Sequence, residues 1–208
     1  MLEELRQRIF AKYDLNRDGK FNLEERESAF TDSDFIAFEL DNIDTNQNGR
    51  LDAEELEWFD ANQNHVLDPA EEAGIEAAQK LLAAKLLKTF DENADGGLDE
   101  NEFSQVLSRD SATDKPGMRV WSGFSMYDRD HSQLLNIEEL ELYLEHSTLQ
   151  DVRRKILQTD RRQMAVLMRP PRPTFKQMVE MYWNGLNQKT SPPMTFEHTN
   201  QARPYSTP

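Results

Sequence analysis

A twelve-residue pattern that recurs five times along 208 residues restricts this chain more than any other feature. Its clearest copy runs from Asp14 to Glu25, DLNRDGKFNLEE, with oxygen-bearing side chains at positions 1, 3, 5, 9 and 12 (Asp14, Asn16, Asp18, Asn22, Glu25). Gly19 stands at position 6 and apolar Phe21 at position 8. Alternate positions of a tightly turned loop aim their side chains inward, so this spacing gathers oxygens around one point. A hard cation that takes six to eight oxygen ligands needs such a cage. Position 7, Lys20, adds a backbone carbonyl, so its side chain is free to vary. The glycine supplies a positive φ that other residues reach only at a cost.

Four more copies follow. The second, Asp44 to Glu55, carries Asp44, Asn46, Asn48, Asp52 and Glu55 in register, with Gly49 at position 6, Arg50 at 7 and Leu51 at 8. The third, Asp60 to Glu71, keeps Asp60, Asn62, Asn64, Asp68 and Glu71, with Val66 at position 7, but has His65 where glycine belongs. The fourth, Asp91 to Glu102, is the most acidic: Asp91, Asn93, Asp95, Asp99 and Glu102, with Gly97 at position 7. The fifth, Asp128 to Glu139, has Asp128, Asp130, Ser132, Asn136 and Glu139, Leu134 at position 7 and Gln133 at position 6. One match to so short a pattern is within chance in an acidic protein; five are not.

On these loops the chain resembles the EF-hand family, of the calmodulin-like kind, over roughly residues 2 to 146. The resemblance implies an all-α fold of helix–loop–helix repeats with short β bridges between paired loops, Ca²⁺ held at the named oxygens, and a role as sensor or buffer. Glutamate closes every loop at position 12, and its two-oxygen grip suits Ca²⁺ over six-coordinate Mg²⁺. Asp at position 9 of the second, third and fourth loops makes a trivalent lanthanide a conceivable alternative ion.

The segments between loops read as helices. Leu2, Leu5, Ile9 and Tyr13 share one face ahead of the first loop, and Leu23 to Phe30 leaves it. TDSD (31–34) gives a break and an N-cap before Phe35 to Ile43. The first two loops start 30 residues apart, which predicts that Phe21 and Leu51 meet in a bridge. The third starts only 16 residues after the second, so one short helix, about Ala53 to Phe59, must serve both, with Trp58 and Phe59 as anchors. Pro69 to Phe90 is dominated by strong helix formers and broken only by Gly74. It reads either as a core helix shared by the third and fourth loops or as a connector between two lobes. The fourth and fifth loops, 37 residues apart with a linker at 108–117, form the most regular pair. Val120, Trp121, Phe124 and Tyr127 suit the helix into the fifth loop, and Ile137, Leu140 and Leu144 the helix out of it.

Beyond residue 147 the chemistry changes. Residues 1–152 hold 14 basic and 36 acidic side chains, a balance of −22, whereas 153–208 hold 10 and 3, a balance of +7. Basic clusters at Arg153–Lys155 and Arg161–Arg162 precede a stop at Pro170, Pro171 and Pro173. Thr174 and Gln177 then make a capping-box signature, and Phe175, Met178, Val179, Tyr182 and Leu186 an apolar stripe with Trp183 at its edge. Five of eight methionines (Met164, Met168, Met178, Met181, Met194) lie in this tail. Basic apolar helices are what open EF-hand grooves bind, so the expected partners are a protein or peptide helix or these C-terminal helices themselves. The alternative is that the last helix completes the core beside an unpaired hand. The division expected is 1–72 for the first three hands, 73–146 for the last two, 147–187 for the C-terminal helices and 188–208 for an extended tail.

An acidic body excludes nucleic acid as a partner. Lys and Arg do not lie opposite the apolar stripe of 175–186, which disfavours a membrane-surface role. An odd number of hands leaves room for one to pair across a dimer. No cysteine is present, so disulfides and thiolate sites are excluded. No apolar run is long enough to span a bilayer and no secretory signal is visible, which slightly favours a cytoplasmic expectation. The four histidines, two of them inside the loops, show no nucleophile pattern, and no phosphate-binding glycine loop occurs, so no enzyme is expected. Three readings remain: a Ca²⁺ sensor whose hands open, a buffer or Ca²⁺-stabilised structural protein that does not open, and a lanthanide binder. Scarcity of methionine in the hands favours the second, because adaptable grooves tend to be methionine-rich.

Overall fold

The structure, a computed structural model, describes residues 2–111, 123–159 and 173–190. Among them every regular element is a helix. In chain order these are α1 (Leu2–Tyr13), α2 (Leu23–Ala29), α3 (Ser33–Ile43), α4 (Ala53–Leu56), α5 (Pro69–Phe90), α6 (Glu100–Ser111), α7 (Gly123–Tyr127), α8 (Ile137–Thr159) and α9 (Phe175–Thr190). Val120, Trp121, most of the 108–117 linker, the proline-flanked basic stretch after Thr159 and the tail beyond Thr190 lie outside the described residues.

Local chemistry explains the helix starts. Asp32 caps α3, its side chain accepting from the Asp34 N–H, and also takes the Tyr13 hydroxyl (2.8 Å) and the Lys12 ammonium (2.6 Å), which ties α1 to the α2–α3 turn. Asn22, Asp52 and Asp68 form reciprocal capping boxes with Glu25, Glu55 and Glu71, and Pro69 opens α5 where its missing N–H costs nothing. After α4 the chain continues to Phe59 through i→i−3 bonds (Trp58 N–H to Glu55 O, 3.1 Å; Phe59 N–H to Leu56 O, 3.0 Å). One short turn of chain thus leaves the second loop and enters the third.

Packing is organised by α5 and α8. Helix α5 is buried along its length through Ile75, Ala78, Leu82, Ala83 and Leu86 and packs against α2, α3, α6 and α8. It is a core helix rather than an exposed connector. Gly74 has a packing reason: a Cβ there would sit 3.2 Å from Phe30 Cβ and 3.3 Å from the Phe59 ring, both fully buried. Helix α8 leaves the fifth loop and runs through residue 147 to Thr159 without a break, packing on α5, α4, α7 and α9. The α9 capping box forms between Thr174 and Gln177 (2.9 and 3.3 Å). Its buried stripe is Met178, Val179, Tyr182 and Trp183, so Trp183 lies at the centre, 1% exposed, and Phe175 and Leu186 flank it.

Pairing between loops differs from expectation in one place. Leu98 and Leu135, at position 8 of the fourth and fifth loops, exchange both backbone hydrogen bonds (3.0 and 2.8 Å) in an antiparallel bridge. The bridge expected between Phe21 and Leu51 does not form. The Phe21 ring is instead drawn among Phe10 and Phe35, at centroid distances of 4.7 and 5.2 Å. The second loop lies along α8: its Ala53 N–H donates to the buried Asp151 Oδ2 (2.9 Å) and Arg50 Nη1 to Ser147 Oγ (3.0 Å).

Candidate metal centres

All five loops fold on one hydrogen-bond plan. The N–H at position 6 donates to the position-1 carboxylate: Gly19 to Asp14 (3.0 Å), Gly49 to Asp44 (3.1 Å), His65 to Asp60 (3.4 Å), Gly96 to Asp91 (3.1 Å) and Gln133 to Asp128 (3.2 Å). The N–H at position 5 donates to the side chain at position 3, from Asp18, Asn48, Asn64, Asp95 and Ser132 to Asn16, Asn46, Asn62, Asn93 and Asp130 at 2.8–3.0 Å. The N–H at position 7 donates to the side chain at position 5, from Lys20, Arg50, Val66, Gly97 and Leu134. The closing glutamate accepts from the position-9 N–H in every loop: Glu25 from Asn22, Glu55 from Asp52, Glu71 from Asp68, Glu102 from Asp99 and Glu139 from Asn136, at 2.9–3.1 Å.

The backbone follows the same plan. Position 4 has positive φ in each loop (Arg17, Gln47, Gln63, Ala94, His131, 55° to 59°), and so has position 6 whether or not it is glycine (His65 58°, Gln133 67°). These turns point the carboxylates and amides of one loop at a common centre. At the fifth loop Asp128, Asp130 and Glu139 each bring an oxygen within 4.8 Å of the others.

Burial tests whether a cation fits. Asp14, Asp44, Asp60 and Asp128 at position 1, and Glu25, Glu55, Glu71, Glu102 and Glu139 at position 12, are all buried. Buried carboxylates need partners. Asp128 Oδ1 and Glu71 Oε1 are buried with no hydrogen-bond partner. Loss of solvent pushes the Glu71 carboxyl up to about 7 and raises that of Glu55. The unsatisfied oxygens of Glu71 and Asp128 fit a hard cation at the third and fifth loops. Position 9 differs between loops. In the second, the amides of Asn46 and Asn48 both donate to Asp52 Oδ2 (2.7 and 2.8 Å), and in the third those of Asn62 and Asn64 donate to Asp68 Oδ2 (3.0 and 3.1 Å). In the third loop the His65 ring also lies against the position-1 group, Nδ1 to Asp60 Oδ2 being 2.8 Å.

A family model described as EF hand matches residues 3–25, 37–60 and 82–107, which take in the first, second and fourth loops. These matches mark EF-hand repeats at three of the five loops. Among curated proteins it is similar to Calbindin-32 of Drosophila melanogaster, 28% identical over a 172-position alignment that covers 69% of this chain and 54% of that protein. The chain thus spans about half the length of that relative. No solved structure matches. The EF-hand matches and the likeness to a calbindin support calcium binding, and no helix among the described residues is long and apolar enough to cross a membrane.

Some residues around the loops carry no spacing signature. Asp151 reaches the second loop and Glu180 and Lys176 the third, from 98 to 113 positions away. Their one signal in the sequence is isolation: Glu180 is the only acidic residue between Arg161 and Phe196.

Proposed function

We propose that this EF-hand chain binds Ca²⁺ at all five loops and works as a buffer or Ca²⁺-stabilised protein rather than by opening a groove. Each ion would be held by the side chains at positions 1, 3, 5 and 12, the carbonyls of Lys20, Arg50, Val66, Gly97 and Leu134, and position 9 directly or through water. Bound Ca²⁺ supplies the positive charge that offsets the gathered carboxylates. The observation that carries this reading is the hydrogen-bond plan repeated in the third and fifth loops, where position 6 is His65 or Gln133. The closed reading is supported by α9, whose buried face occupies apolar surface that a sensor would offer to a target. A sensor in which α9 is displaced by an outside helix is the second reading, favoured by the basic character of residues 153–208.

The fourth loop should bind tightest. It has three aspartates and a glutamate, with no asparagine amide donating to Asp99 in the way that Asn46 and Asn48 donate to Asp52. Calorimetric titration of the whole chain and of five variants, each with its position-12 glutamate changed to glutamine, tests both statements. Each change should remove one binding event, and Glu102→Gln the strongest. Survival of the tightest event in Glu102→Gln would refute the ranking, and an unchanged stoichiometry in Glu71→Gln or Glu139→Gln would remove that loop from the count.

A further inference from the structure

In the fourth and fifth loops the position-8 backbone groups satisfy each other, Leu98 with Leu135. Among the described residues no other loop bridges to the third. Its position-8 residue, Leu67, is fully buried, so its N–H and C=O need partners from elsewhere. Both come from α9. The Leu67 N–H donates to Glu180 Oε1 (3.2 Å), and the Lys176 ammonium donates to the Leu67 carbonyl. Residues 176 and 180 are one helical turn apart on one face, so a carboxylate acceptor and an ammonium donor are presented with the spacing that one residue's two backbone groups require.

We propose that α9 stands in for the missing partner of the third hand, and that its docking is coupled to ion binding at Asp60–Glu71. This rests on the reading of the third loop as a calcium site. Leu67 lies between Val66, whose carbonyl is the position-7 ligand, and Asp68 at position 9. Whatever fixes the Leu67 peptide groups therefore fixes two corners of the cage. Helix α9 also grips the chain just ahead of the loop, where the Tyr182 hydroxyl donates to Glu57 Oε1 (3.0 Å). The apolar side chains that seat α9, Val179 and Trp183, are 0% and 1% exposed, so the helix holds its position firmly enough to act on the loop. An ion that orders the loop favours a docked α9, and a docked α9 lowers the cost of ordering the loop. Linkage requires the two effects to be equal.

The test uses the full chain and three variants: Glu71→Gln, Lys176→Ala with Glu180→Ala, and Glu180→Gln, whose amide oxygen can still accept from Leu67. Calcium titration is read by calorimetry, and α9 by amide hydrogen exchange over residues 175–186 with and without Ca²⁺. Coupling predicts that the double variant weakens only the event that Glu71→Gln abolishes, by roughly tenfold. Glu180→Gln should retain it. It also predicts that Ca²⁺ slows exchange in α9 of the wild type but not of Glu71→Gln. Loss of one event in Glu71→Gln, with that event unchanged in the double variant, would overturn the coupling and leave the third loop a calcium site. No lost event in Glu71→Gln would overturn both.

Discussion

His65 occupies the position of the third loop that most clearly opposes its own cage. Its φ of 58° is a left-handed conformation that costs a side chain of this kind about 1 kcal/mol, and its ring faces the oxygen of Asp60 that an ion would use. Glycine has neither liability. His65→Gly should therefore strengthen calcium binding at the third loop by about fivefold, the equivalent of about 1 kcal/mol. Calorimetry would read this as one tightened event among otherwise unchanged ones, and a weakened event would mean that the imidazole supports the cage. Glu71, in the same loop, is fully buried with one oxygen unpartnered. Burial raises its carboxyl from 4.5 to about 7, so between those values the folded, ion-free protein holds a proton that the unfolded chain has released. Stability of the ion-free protein must then fall as pH rises through that window. Glu71→Gln removes the buried charge. It should raise the thermal midpoint of the ion-free protein at pH 8, have little effect at pH 4, and lower the midpoint when calcium is saturating. A melting series with chelator and with Ca²⁺ at both pH values checks all three signs.

Helices were legible where their signals are local. The spacing of Leu2, Leu5, Ile9 and Tyr13, the Asp32 cap, the Pro69 start of α5 and the Thr174–Gln177 box all depend on residues within one or two turns, and all appear where expected. The loops were legible for the same reason, since twelve consecutive residues define each cage. Three features were not. Helix α8 runs across the division expected at residue 147, held there by Asp151 at the second loop and by Val152 and Ile156 in the core. The Phe21–Leu51 bridge gives way to aromatic packing of Phe21 and to contacts of the second loop with α8. The hold of α9 on Leu67 joins residues more than a hundred positions apart. Tertiary polar contacts of that range leave no periodicity to read. Gly74 marks the boundary between the two kinds of signal: it was visible as an interruption, but its reason is Phe30 and Phe59. In an exposed helix, alanine in its place would gain about 1 kcal/mol from propensity alone. Here the new methyl meets Phe30 Cβ at 3.2 Å and the buried Phe59 ring at 3.3 Å, and overpacking of that kind costs about 1–3 kcal/mol. Gly74→Ala should therefore destabilise, lowering the midpoint by about 2–4 °C in a circular-dichroism melt. A higher midpoint would show that α5 can move away from α2 and the Phe59 turn.

At the scale of the molecule, charge and apolar surface decide between a protein that opens and one that only tightens. Residues 1–152 carry a balance of −22, and five Ca²⁺ would leave −12, so filling the loops relieves much of the self-repulsion that burdens the empty protein. Mass action adds about 2.7 kcal/mol for each site held at a hundred times its dissociation constant. Opening would draw on that gain to expose apolar side chains. The described residues place theirs inside instead. Helix α8 packs on both α5 and α9, Ile75, Leu82, Val152, Ile156, Val179 and Trp183 are buried, and the large apolar side chains left exposed are Leu15, Leu23, Val66 and Met126. Among the described residues, α9 covers apolar surface that would have to be uncovered before a groove could open. Adding Ca²⁺ should therefore raise the thermal midpoint while fluorescence of an apolar dye such as anilinonaphthalene sulfonate stays level or falls. A calcium-dependent rise in dye fluorescence in the intact chain would mean that α9 leaves its seat on ion binding, and the sensor reading would replace the closed one.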